Sequence, residues 1–182
     1  MTLIELLVAL VIVGVLATLA APSFQSLIVS ANISSAVNTF MSDMRYARSE
    51  AVRRGVAVVI CRSDAPEAAA PTCSTSSSSA GTGWEGGWIV FQDTDGSNTR
   101  NAGDIMLRVQ SAIKNIDSIT DTGAGTVKFA FNALGRQKTL RNGTTFQFGS
   151  TIPITSQRIV CVQWTGRVRV AGDGYSDCGS AF

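Results

Sequence analysis

The stretch MTLIELLVALVIVGVLATLAAP, residues 1–22, holds a single charge, Glu5, at the head of an otherwise apolar run. A carboxylate carried into hydrocarbon costs about 2.5–3.5 kcal/mol on insertion scales. Glu5 therefore calls for water or for a partner. From Leu6 to Ala21 only Gly14 and Thr18 interrupt the apolar side chains, and no charge occurs between Glu5 and Asp43. Extended through Ile28, the run approaches the roughly 20 residues of a spanning helix. A secretory signal peptide fits less well: no basic segment stands before the run, and Pro22 spoils the cleavage site. A buried core helix also fits poorly, because it would keep a polar face and this run has none.

After Pro22 the apolar residues recur at three- and four-residue steps. Phe24, Leu27, Ile28 and Ala31 are followed by Ile33, Ala36, Val37, Phe40, Met41, Met44, Ala47 and Ala51. That period predicts one amphipathic helix continuing to Val52. Asp43, Arg45, Glu50, Arg53 and Arg54 are expected mostly at its other positions. Gly55 follows two arginines and is a good stop: cations suit the C-terminal dipole, and glycine turns left-handed without strain. A helix of about fifty residues spans roughly 75 Å. A head of this size cannot cover it, so the first half is expected to be buried in something else.

From Val56 the period shortens to two. Strands are predicted at 56–61, 88–93, 105–110, 126–132, 144–149, 158–164 and within 165–170. One long helix followed by about seven strands is an α+β arrangement, the helix packed on antiparallel sheet. Residues 1–29 form the hydrophobic helix, and residues 30–182 form the head with the amphipathic half of the helix.

The chain has four cysteines and no histidine. Cys61, Cys73, Cys161 and Cys178 lack the spacing of a zinc site, and two disulfides fit better. Such bridges imply an oxidising compartment. Three pairings are open. The local ones, Cys61–Cys73 and Cys161–Cys178, are favoured because each closes a modest polar loop, contributing on the order of 3 kcal/mol. Without histidine there is no Ser-His or Cys-His pair, and no nucleotide-binding loop is present. The chain therefore reads as a non-enzyme that needs no cofactor. The loop DTDGSNTRNAGD, 93–104, is rich in oxygen ligands but fails the EF-hand spacing. A hairpin loop with Asp and Asn turn bonds is the plainer reading. Trp84 and Trp88 read as core and turn-packing residues.

Net charge is only +2, yet seven of the fifteen basic residues and only two of the thirteen acidic ones follow Asp121. Any polyanion contact is expected in that last third, against the commoner reading of a solvated sheet face.

The segment TLIELLVALVIVGVLATLAAPSF, 2–24, resembles the N-terminal motif of type IV pilins and type II secretion pseudopilins. The resemblance implies a leader removed by a prepilin peptidase and a methylated new N-terminus at Met1, where the family more often has Phe. It implies that Glu5 meets the N-terminal amine of a neighbouring subunit as the chain leaves the inner membrane. It also implies that the helix unwinds between Gly14 and Pro22 in the filament. MSDMRYARSEAVRRGVAVVICRS (41–63), GWEGGWIVFQDTDGS (83–97) and IVCVQWTGRVRV (159–170) together resemble the GspH/FimT class of minor pilins. The expected life of such a chain starts as a single-pass inner-membrane protein and ends in a surface pilus beside other pilin subunits. A GspH-type pseudopilin of type II secretion is the alternative, as is a major subunit.

The segment GRVR, 166–169, adds a sharper expectation. In a strand Arg167 and Arg169 share a face, and two guanidiniums grip phosphates bidentately. Some FimT-like minor pilins of transformable bacteria are similar, and the resemblance implies double-stranded DNA as a partner. The competing reading pairs these arginines with Asp173, Asp177 or a neighbouring pilin.

Overall fold

The computed structural model describes residues 2–75, 83–121, 125–139, 143–149, 157–171 and 178; side chains 17–23 within the first helix are not described. Helix α1 runs from Leu3 to Arg54, 52 residues without a break, or about 78 Å. Gly14 and Pro22 both lie inside it, so the expected unwinding is not a feature of the single chain. Thr2 caps the start and Gly55, at φ 68°, closes the end by donating to the Ala51 carbonyl.

Eight strands follow: β1 (Val58–Arg62), β2 (Trp88–Gln92), β3 (Ile105–Gln110), β4 (Ile119–Asp121), β5 (Lys128–Phe131), β6 (Thr144–Phe148), β7 (Arg158–Val162) and β8 (Val168–Val170). They make two antiparallel four-stranded sheets, ordered β3-β2-β1-β5 and β4-β6-β7-β8. The predicted strands are all present with ends shifted by a few residues. β4 is additional: three residues with one buried side chain, Ile119, carry too short a pattern to reveal a period.

The second half of α1 packs against both sheets. Ile33, Ala36, Val37, Phe40, Met41, Met44, Ala47 and Ala51 are all buried. They meet Val58 and Ile60 of β1, Phe146 and Phe148 of β6, and Val160 and Val162 of β7 in one core. The sheets' outward faces have smaller cores. Val59, Cys61, Ile89, Phe91 and Ala130 cluster behind the first sheet with Cys73 packed on them. Ile159, Cys161 and Cys178 cluster behind the second. Cys61 is bonded to Cys73 and Cys161 to Cys178, so each bridge lays a following segment over an outward face.

Upstream the stripe is bare. Every residue from Leu3 to Leu16 is exposed, and Phe24, Leu27 and Ile28 are 64%, 65% and 58% exposed. Asp43 and Glu50 depart from expectation, for both are buried. Asp43 lies seven residues after Ala36 and seven before Glu50, which puts all three on one side of the helix. The Trp88 indole donates to Asp43 Oδ2 at 2.9 Å, and Arg108 donates to Oδ1. Arg108 also stacks over the Tyr46 ring at 4.0 Å. The buried carboxylate thus joins α1 to β2 and β3, and its two charged or polar partners offset its desolvation.

Candidate functional site: the helix start and an arginine-walled groove

Two places concentrate groups that the core does not use. The first is the helix start. Thr2 N–H donates to Glu5 Oε2 at 2.8 Å and Glu5 N–H donates to Thr2 Oγ1 at 3.4 Å, a reciprocal capping box. Glu5 thereby fills two roles open to a carboxylate here: it satisfies end N–H groups and faces the positive end of the helix dipole. Met1 lies outside the described residues. Among the described residues no helix is long and apolar enough to cross a membrane.

The second place is where β7 turns into β8. The turn Gln163–Arg167 closes through Gln163 N–H to Arg167 O (2.8 Å) and Gly166 N–H to Gln163 O (2.9 Å). Gly166 sits at φ 82°, and a Cβ there would collide with the Gly135 carbonyl. Gly135, at φ 71°, is pressed in turn on Arg48 and Val52 of α1. Two glycine turns therefore stack on the helix; a Cβ has no room at Gly166, and at Gly135 it would crowd Arg48 and Val52 in a left-handed backbone that favours glycine. Arg48 Nη1 donates to the Gly166 carbonyl at 3.2 Å and fixes the turn from the helix side. On the far side Arg136 lies over the half-exposed Trp164 ring, 4.8 Å from its centre.

Arg167 and Arg169 are both exposed. Arg167 stands one residue before β8. Arg169 is paired with Cys161, while Val168 and Val170 pair with Val162 and Val160. Directly opposed residues share a face, so Arg169 stands on the outward face and Val168 on the helix face. Arg167, at the turn, lines a groove of about 530 Å³ against α1. Arg45, Arg48 and Arg53 line its helix wall, with Val52 and Val168 between. No carboxylate is among the described residues lining it. Asp173 and Asp177 lie outside the described residues, as does Arg141. The groove escapes sequence reading because its walls are more than 110 residues apart; the only local signal is the i, i+3 spacing of Arg45 and Arg48.

Glu50 is the nearest acid on the helix. It accepts from Arg53 at 2.7 Å and from Arg54 at 2.6 Å. Those bonds hold its carboxyl down to about 2. It is ionised throughout the neutral range and offsets the charge of Arg53 and Arg54. Arg45 and Arg167 make no ion pair among the described residues.

The 93–104 loop brings Asp93, Asp95 and Asp104 together, their ligand atoms within 4.8 Å. Asp93 accepts from the N–H groups of Gly96 and Asn98, and Asp104 from those of Thr94 and Asn101. Ser97 N–H holds the Asp95 carboxyl below its usual range. Turn hydrogen bonds account for all three carboxylates. Trp84 and Trp88 are buried, their indoles donating to Thr126 O and Asp43.

A sequence model of the family described as type II transport protein GspH matches residues 36–166, from Ala36 in the packed half of α1 to Gly166 in the turn before β8. The chain belongs to the GspH family. Two crystal structures of the type IV minor pilin FimU of Pseudomonas aeruginosa PAO1 share the fold of this GspH-family chain. One aligns with a TM-score of 0.55 at 17% identity, over 80% of this chain and 98% of FimU. The other gives 0.57 at 18%, over 80% and 94%. No curated protein sequence matches the chain. The architecture is the type IV pilin fold, a long N-terminal helix carrying an antiparallel sheet head.

Proposed function

We propose that this GspH-family chain is a minor pilin of a type IV pilus, with residues 1–29 as inner-membrane anchor and then filament core, and 30–182 as the exposed head. The observation that carries this reading is the division of α1: one continuous helix, buried against the head from Ile33 and bare at the described apolar side chains before it, 3–16 and 24–28. A bare stripe of that length needs lipid or other helices around it. Processing by a prepilin peptidase frees Met1 for methylation, and Glu5 takes the N-terminal amine of a neighbour as counter-charge. The family description favours a second reading, a pseudopilin of type II secretion. Deleting the gene in its host separates them. Surface filaments should fall several-fold with secretion of exoproteins unchanged; the reverse pattern assigns the chain to the secretion system.

The head also binds double-stranded DNA in this proposal. The exposure of Arg167, in the turn just before the edge strand β8, and of Arg169 on that strand supports it. Binding is weak and independent of sequence, since phosphate contacts carry no base information. Each lost contact flattens the log-affinity against log-salt slope by about 0.9. The full chain in detergent with Arg167→Gln and Arg169→Gln should lose close to two such steps in a salt-series gel shift. A double variant that binds like the parent at every salt concentration refutes the role of GRVR.

A further inference from the structure

We propose that the phosphate seat is not confined to GRVR: the groove between α1 and the β7–β8 turn holds a phosphodiester strand, gripped by Arg45 and Arg48 from the helix and Arg167 from the turn. This inference rests on the DNA reading above and assigns the helix wall to the same site.

Three observations converge on it. Cations from two elements far apart in sequence face one groove, and no described carboxylate lines it. Arg48 is held at the groove by its bond to the Gly166 carbonyl. Its guanidinium has five donors, so that bond leaves others for a ligand without a new ordering cost. Arg45 is exposed, unpaired among the described residues, and one helical turn before Arg48. Between the arginines, Val52 and Val168 offer apolar surface to a sugar. Arg53 also lines the groove, but its bond to Glu50 takes its charge out of the account.

Anionic lipid headgroups carry the same phosphodiester chemistry. Position argues against them. Arg45 stands 17 residues beyond Ile28, the end of the bare apolar stripe, which is about 25 Å along the helix. Surface attraction fades over a Debye length of about 8 Å at physiological salt. A membrane holding the first half of α1 does not reach the groove, whereas a polymer approaching the exposed head does.

The test uses the full chain in detergent and a random 30-base-pair duplex over a salt series. Arg45→Gln removes a surface charge without touching the core. It should weaken binding several-fold at low salt and flatten the salt slope by about 0.9. Arg45→Lys should restore the slope but only part of the affinity, because an ammonium does not bind bidentately. Lys114→Gln removes an exposed charge elsewhere on the head and should leave binding unchanged. Anionic phosphatidylglycerol vesicles should not displace the duplex. The inference is overturned if Arg45→Gln matches the parent, if Lys114→Gln weakens binding equally (a general field, not a seat), or if vesicles displace the duplex. A parent chain that binds no duplex at low salt fails the DNA reading itself, a different result from any of these.

Discussion

Phe40→Ala is expected to lower the stability of the head by about 3–5 kcal/mol, the range for emptying a fully buried aromatic site. Phe40 is fully buried, and its ring centre lies 5.4 Å from Trp84, 5.5 Å from Trp88, 5.0 Å from Phe146 and 5.7 Å from Phe148. Trp88 belongs to β2 in the first sheet, while Phe146 and Phe148 belong to β6 in the second. One helix side chain therefore joins the helix to both sheets. Edge-to-face pairs add about 0.5–1.5 kcal/mol beyond area burial. Truncation leaves four rings facing a hole that two sheets, each pinned by a disulfide on its far side, cannot close. Of a total of about 5–15 kcal/mol for a typical domain, that loss is large. The melting midpoint followed by near-ultraviolet dichroism should fall by roughly 6–20 °C. Phe40→Leu should fall less, since it keeps most of the volume. An alanine variant melting with the parent would mean that the sheets are held together without the helix ring.

Glu5→Ala is expected to abolish incorporation into filaments while leaving the chain in the membrane. The carboxylate is costly in hydrocarbon, and a neighbour's amine removes that cost only when the two subunits meet in register. Alanine, however, also breaks the capping box with Thr2. Glu5→Gln separates the two roles, for glutamine completes a capping box and carries no charge. On the proposed mechanism Glu5→Gln fails as completely as Glu5→Ala, and Thr2→Ala, which spoils the cap and keeps the charge, still assembles. Quantifying each variant in sheared filament and membrane fractions decides the matter. Normal assembly of Glu5→Gln would leave Glu5 as a helix cap and nothing more.

Much of this molecule is legible in the chain because its strongest signals are local. The stripe from Ile33 to Ala51 repeats over five turns, and Gly55 after two arginines marks the stop; the helix ends at Arg54. β6 alternates buried and half-buried from Thr144 to Phe148, a pattern that period two describes directly. What escaped depends on distance in sequence. Asp43 reads as a surface charge until Trp88 and Arg108, 45 and 65 residues on, come to meet it. Its seven-residue spacing from Ala36 and Glu50 was the available hint. The division of strands into two sheets is likewise a long-range fact, since β5 pairs with β1 across the chain. In the sequence Arg167 and Arg169 read as one strand pair. In the fold Arg167 belongs to a groove with the helix, and Arg169 lies beside Cys161 on the outward face. The turn glycines explain why: Gly166 folds under Gly135, and the chain enters β8 only at Val168.

On the proposed function this chain becomes part of a surface filament through its N-terminal helix. Mass spectrometry of filaments sheared from cells making the chain at its native level is the decisive measurement. Head peptides are expected at a small fraction of the main subunit, with an N-terminal peptide beginning at a methylated Met1. Filaments free of the chain, with all of it retained in the membrane fraction, would contradict it.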